Sequence, residues 1–304
     1  MNISITRPIG DAIEWTKKVL FNPFELKKWL VLGFCYFLAS LGHATGCGPQ
    51  ANFSHVSSSG NEASNIMHEV WDWVSSQPTT AVLLIGSILL IFMCIILLLQ
   101  WLSSRGVFML LDGVLRNEGA VVEPWKEFKS DGNSVFIFRI FLLIFGTAGS
   151  LIIVAAGALL AWPEISAGVF QTRALMATIA GIALLIPFGI LIGLARAILI
   201  DFAVPVMYRH RIPATEAMFM VWKELIAPHC VTFLLFYAMK FVLGIGAAFI
   251  AGVVTCLTCC VAALPYLSSV ILLPLAVFFR SYSVFFLAQF GDKWQVVPLD
   301  SDEA

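Results

Sequence analysis

The residues with the most reactive side chains are scattered rather than grouped. The five histidines are His43, His55, His68, His210 and His229, and no two stand at a spacing such as H-E-x-x-H that would set two imidazoles on one helix face for zinc. No G-x-S-x-G, P-loop or Gly-rich dinucleotide fingerprint occurs. Of the seven cysteines, three fall close together as Cys256-Leu-Thr-Cys259-Cys260. This is half of a thiolate metal site without its second half. In an oxidising compartment Cys47 has the chemistry to bridge to one of these three, but small apolar filling of a helix is the favoured reading. No catalytic, cofactor-binding or metal-binding residue is therefore expected, and the chain is read as not an enzyme.

Charges in apolar surroundings are the other candidates. Arg105, Arg196, Lys240 and Arg280 each interrupt or end a long apolar run, with Asp201 shortly after Arg196. A charge at the centre of a bilayer is by default a hypothesis of function. Such a charge at the headgroup level has a milder reading, a side chain that snorkels to phosphates or caps the bundle. The second reading is favoured here, with an ion or substrate path as the alternative. Arg105, Arg196, Lys240 and Arg280 are accordingly the candidate contacts for anionic lipid or for an interface. Asp112 and Asp201 do not form convincing local ion pairs with the arginines that precede them: seven residues separate Asp112 from Arg105, and five put Asp201 on a different helix face from Arg196.

The elements that must hold these residues follow from composition. Of 304 residues, 60% are hydrophobic and 12% charged, with a mean hydropathy of +0.91, against about a quarter charged in a soluble domain. Crossing about 30 Å of hydrocarbon takes roughly 20 apolar residues. Thr79 to Ser104, Ile140 to Pro163 and Ala174 to Ala195 each supply one such run. Phe241 to Phe279 is uncharged for 39 residues, enough for two spans with a turn near Leu264 and Pro265. Trp29 to His43 is a short sixth candidate. Met1 to Phe24 mixes Asp11, Glu14, Lys17 and Lys18 into an apolar pattern, unlike a cleavable signal peptide, so the first span is expected to stay.

The 18 Lys and Arg residues then fall seventeen on one side and one, Arg173, on the other. By the positive-inside rule this predicts six spans with both termini in the cytoplasm. The expected fold is an all-α polytopic membrane protein: six transmembrane helices as three helical hairpins with amphipathic cytoplasmic helices, in one integral membrane domain over residues 1–304. Its place is a membrane crossed many times, the bacterial inner (plasma) membrane being the expected one.

Three units are expected within that domain, at about 1–116, 117–211 and 212–291. Each odd-numbered span is preceded by a Trp with basic residues: Trp15-Thr-Lys-Lys, Trp125-Lys-Glu-Phe and Trp222-Lys-Glu-Leu. Each even-numbered span ends at an arginine with a mostly apolar sequel, after Arg105, Arg196 and Arg280. Those sequels, such as Val107 to Leu111 and Ala197 to Met207, either lie flat at the interface or extend the spans into a cytoplasmic bundle. Gly189-Ile-Leu-Ile-Gly193 and the small residues Gly244, Gly246, Ala247, Ala248 and Gly252 allow close helix approach, here expected within the chain's own bundle. Pro187 and Pro274 are expected to kink spans four and six. An outer loop over 44–78 carries an interfacial helix at Asn65 to Val74 and the pattern Asn52-Phe-Ser54, and residues 292–304 form an acidic tail.

This order of Trp helix, hairpin, arginine and apolar extension, with the Trp125 and Trp222 stretches, resembles the membrane domain attached to some glycerophosphodiester phosphodiesterases and its stand-alone bacterial relatives of unknown function. The resemblance covers nearly the whole chain. It does not bring the activity, because no soluble stretch has the roughly 250 residues that a catalytic barrel needs. Two classes of function remain. The first is a non-enzymatic scaffold, assembly factor or accessory subunit of a membrane process. The second is a transporter or lipid-handling protein. The expected partners are the bilayer, anionic lipids and another membrane protein, with no nucleic acid.

Overall fold

The computed structural model describes residues 3–42, 76–166, 172–258 and 264–296, and among them every regular element is helical. Helix α1 (Arg7–Phe21) starts with Pro8 in its first turn and buries Pro8, Ala12, Thr16 and Val19 on one face, leaving Asp11, Glu14, Lys17 and Lys18 outside. After α2 (Leu26–Leu41) comes α3 (Pro78–Arg116), which again opens on a proline, a residue preset for the first helical turn. It closes at Asn117 in the left-handed conformation, whose N–H bonds to Gly113 O. A short α4 (Val122–Glu127) leads to α5 (Lys129–Ser166) and then to α6 (Thr172–His210).

Two helices contain a widened π turn, and prolines account for both. In α6 the π turn covers Leu199–Ala203, with the Val204 N–H bonding back to Leu199 O. Pro205 has no N–H to give to Ile200 O, five residues earlier, so that carbonyl is left for another donor. Helix α7 (Ala214–Met220) runs into a second π turn, Val221–Ile226, where the Ala227 N–H reaches Trp222 O. Pro228 likewise withholds a donor from Lys223 O. Helices α8 (Cys230–Leu257), α9 (Pro265–Ile271) and α10 (Leu273–Ala288) complete the fold, with a 3₁₀ turn at Asp292–Trp294.

Four of these helices are long and apolar enough to cross a membrane: Thr79–Arg116, Lys129–Glu164, Thr172–His210 and Cys230–Leu257. Helix α3, at 39 residues, is about 58 Å long at 1.5 Å per residue, nearly twice a hydrocarbon core. Its first half is bare: Val82, Leu89, Leu90 and Phe92 are all more than half exposed. The same holds for Leu159 and Leu160 of α5, Ile190 of α6 and Phe249 of α8. Lipid is the solvent in which such a surface is stable.

The core lies in the other half of the molecule, beyond the arginines. Val107 to Leu111, Phe202 to Met207 and Tyr282 to Leu287 are three of its contributors. The apolar sequels therefore continue the long helices into a bundle and do not lie flat. Phe108, Phe128 and Tyr208 stack in one column, and Phe202, Phe233, Phe236 and Phe286 pack around one another in a second.

The short helices depart from the expected spans. Helix α2 has 16 residues, about 24 Å, and it runs beside the later half of α3: Ser103 Oγ donates to Ala39 O at 2.6 Å and Gln100 Nε2 to Gly42 O at 3.1 Å. A Cβ on Gly106 would come within 2.5 Å of Ala39 N, so that glycine is what lets the two backbones meet. The second half of the Phe241–Phe279 run is divided between α9 and α10. Pro274 starts α10 instead of kinking a continuous span, because a residue without an N–H fits a helix start better than its interior. Pro187 does lie inside α6.

The glycine expectation also changes. A Cβ placed at Gly189, Gly193, Gly244, Gly246 or Gly252 would meet nothing within 4 Å from another element among the described residues, whereas one at Gly149 would meet the Phe188 ring and one at Gly146 would lie beside Ile192 in the α5–α6 hairpin. At the outer end of that hairpin the Glu164 carboxylate accepts from the backbone N–H groups of Arg173 and Ala174 at 3.0 and 2.9 Å, capping the positive end of α6. Several expectations lie outside the described residues: His43, His55 and His68, Cys47, Cys259 and Cys260, the Asn52 pattern, the Asn65–Val74 helix and the end of the tail.

Candidate functional site

Three arginines beside the apolar runs, Arg105, Arg139 and Arg280, are buried in the bundle. Arg105, on α3, is 6% exposed. Its Nη2 donates to Asn133 Oδ1 of α5 at 3.2 Å, and its guanidinium lies 4.3 Å from the ring centre of Trp101 and 4.8 Å from that of Trp125. The indole of Trp101 donates to the same Asn133 oxygen. Two aromatic faces offset part of the cost of removing this cation from water, but its Nε is buried without a hydrogen bond.

Arg139, near the start of the apolar part of α5, is 5% exposed. Its Nη1 donates to Ser103 Oγ at 3.0 Å and Ser104 Oγ at 3.3 Å, both on α3. Its Nη2 is buried with no partner. Among the described residues no carboxylate pairs with this guanidinium; instead it lies close enough to Arg196 and Arg280 to be repelled by both. Arg280, on α10, is 8% exposed and donates from Nη1 to Ile200 O at 2.6 Å. That is the carbonyl which the π turn and Pro205 leave without a helical donor. Arg196, one turn before Ile200 on α6, is half-buried and has no hydrogen bond or ion pair among the described residues.

Asp201 is the carboxylate within reach of this layer, and α8 claims it. Lys240 Nζ lies 2.5 Å from Asp201 Oδ1, and Ser283 Oγ donates to the same oxygen at 3.3 Å. The Tyr237 hydroxyl is buried in the same neighbourhood without a hydrogen bond of normal geometry. The layer thus sets four cations, Arg139, Arg196, Arg280 and Lys240, against one carboxylate. Holding a buried cation without its counter-charge costs several kcal/mol per ion by the usual scale.

A second polar network sits at the far end of the bundle. Asp112 Oδ1 accepts from Tyr208 Oη at 2.8 Å and from Arg116 Nε at 2.9 Å. Arg116 also reaches Glu127 at 3.3 Å, and Arg211 pairs with both Glu127 and Asp131 while stacking 4.3 Å over Phe128. Helices α3 to α6 are fastened together here by two arginines shared among three carboxylates. This network is half open to solvent and reads as a structural clasp.

Of the four residues expected from sequence, the structure brings Arg196, Lys240 and Arg280 into one layer and sets Arg105 apart in its aromatic cage. Ser103 and Ser283 were not anticipated as members, and Arg139 and Asp201, both legible as charges beside apolar runs, were not among the candidate contacts. Arg139 carried a sequence signal, a lone arginine at the entrance of an apolar run, that the charge count absorbed as topology. Among the described residues no group of three or more His, Cys, Asp or Glu is placed to hold a metal ion.

A family model described as a family of unknown function (DUF7544) matches residues 3–273. No curated protein and no solved structure matches the chain.

Proposed function

This chain belongs to the DUF7544 family of unknown function, and we propose that it is a non-enzymatic integral membrane protein that serves as a scaffold, assembly factor or accessory subunit for another membrane protein. The observation that carries this reading is the bare small-residue surface of α6 and α8. A Cβ placed at Gly189, Gly193, Gly244, Gly246 or Gly252 would meet nothing within 4 Å from another element among the described residues, although small residues in lipid are the ones that let a second helix come close. Outside the arginine layer, Asp112, Arg116, Glu127, Asp131 and Arg211 are spent on fastening α3 to α6 together, which supports a non-enzymatic role.

In this reading α2 and the α9–α10 pair complete six spans in three hairpins, with both termini in the cytoplasm of a bacterial inner membrane. The seventeen-to-one division of Lys and Arg supports that orientation. The likeness to the membrane domain of glycerophosphodiester phosphodiesterases is carried as layout alone, without the activity.

Photo-crosslinking in the native membrane tests the scaffold reading. A benzophenone side chain at Gly193 or Gly246 is expected to capture one protein species, and the same group at Leu90 of α3 to capture lipid. Capture of lipid alone from all three positions would overturn it. A second reading, lipid handling, is favoured by a separate observation, the excess of cations around Arg139.

A further inference from the structure

We infer that Arg139, Arg196 and Arg280 form a binding site for a phosphate group. The inference does not rest on the scaffold reading, since a chain without a protein partner would still hold the same unbalanced cations. Three features point to an anion. Arg139 is buried with Nη2 unpartnered while Nη1 is already fixed by Ser103 and Ser104, so the guanidinium is oriented with one donor to spare. Arg196, on the facing helix α6 and near enough to repel Arg139, has no hydrogen bond or ion pair among the described residues. The carboxylate that would otherwise neutralise the layer, Asp201, is held by Lys240 and Ser283 on its other side.

Like charges gather in this way where an anion completes the structure. A tetrahedral phosphate suits several guanidinium donors better than a carboxylate does, because its oxygens accept from more than one direction. The layer lies where the bare, lipid-facing halves of α3, α5, α6 and α8 give way to the packed bundle, which is the depth of headgroups. The phosphate therefore comes from a phospholipid headgroup or from free phosphate in the cytoplasm, two sources with the same chemistry.

Titration of the full-length, delipidated protein in a nonionic detergent tests this, read by native mass spectrometry and by the shift in melting temperature. Dioleoyl phosphatidylglycerol is expected to bind at least about tenfold more tightly than dioleoylglycerol and to raise the melting temperature, with each of Arg139→Gln and Arg196→Gln losing about tenfold. Arg209→Gln, an exposed charge outside the site, controls for net charge and keeps the wild-type affinity. Arg196→Gln breaks no hydrogen bond or ion pair among the described residues, so it is expected to melt no lower than wild type without ligand; it carries the test if Arg139→Gln fails to fold. Inorganic phosphate that displaces phosphatidylglycerol and raises the melting temperature by itself assigns the site to the soluble anion, and phosphate that does neither assigns it to the headgroup. Equal binding of phosphatidylglycerol and dioleoylglycerol, with no effect of phosphate, would overturn the inference. So would a preference that survives in Arg196→Gln.

Discussion

Lys240 Nζ lies 2.5 Å from Asp201 Oδ1, a pair 39 residues apart in the chain that ties α8 to the π turn of α6. Helix α8 otherwise joins the bundle through its first turns, where Phe233 and Phe236 meet Phe202 and Phe286. The pair is therefore a main anchor of that helix, placed at the depth where its packed part ends.

Replacing one partner strands the other. Asp201→Ala and Lys240→Ala are each expected to destabilise the folded protein by about 3–5 kcal/mol, and the double variant Asp201→Ala with Lys240→Ala by clearly less than the sum of the two. Thermal and chemical melts in detergent, assembled into a double-mutant cycle, measure the coupling. Additive losses would show that the two residues act independently.

The glycines separate into two kinds that behave differently. Gly106→Ala puts a Cβ against the backbone of Ala39 and is expected to cost about 1–3 kcal/mol by overpacking. Gly189→Ala fills open space and is expected to fall within about 0.5 kcal/mol of neutral in the isolated chain. Melting of the two purified variants checks both.

Thiol chemistry reports which surface is lipid. Cys94, on the bare half of α3, is exposed, while Cys35 of α2 is buried. In intact membranes Cys94 is expected to react with an apolar maleimide and to resist a charged one, and Cys35 to react with neither until the protein is unfolded. Mass shifts of the intact chain read both.

The clasp at the far end of the bundle is half open to solvent, with Arg116 and Arg211 side chains each 44% exposed. Arg211→Ala is expected to cost no more than about 1 kcal/mol, and that cost is expected to shrink in high salt. A melt series from low to high ionic strength follows it.

The long helices were legible because lipid requires uninterrupted apolar runs, and Arg105, Arg196 and Arg280 marked their inner ends. The role of those arginines was not legible, because their partners are distant in sequence. Arg280 meets a carbonyl freed by Pro205 on another helix, and Arg139 meets serines that precede Arg105. Sequence left open whether α3 and α6 would run straight through their arginines or turn to lie flat, since the residues on either side, such as Ser104 to Phe108, suit a helix equally in lipid and in a packed core. The fate of Phe241 to Phe279 turned on Pro265 and Pro274, which suit a turn or a kink as readily as the two helix starts they make.

The central claim is that this chain serves another membrane protein. Native mass spectrometry of the full-length protein, gently extracted from its own membrane, tests it most directly. The account predicts a stoichiometric protein partner that is retained by the wild type and lost from Gly193→Leu, with the chain itself still folded. A chain found alone, or with copies of itself and lipid only, would contradict it.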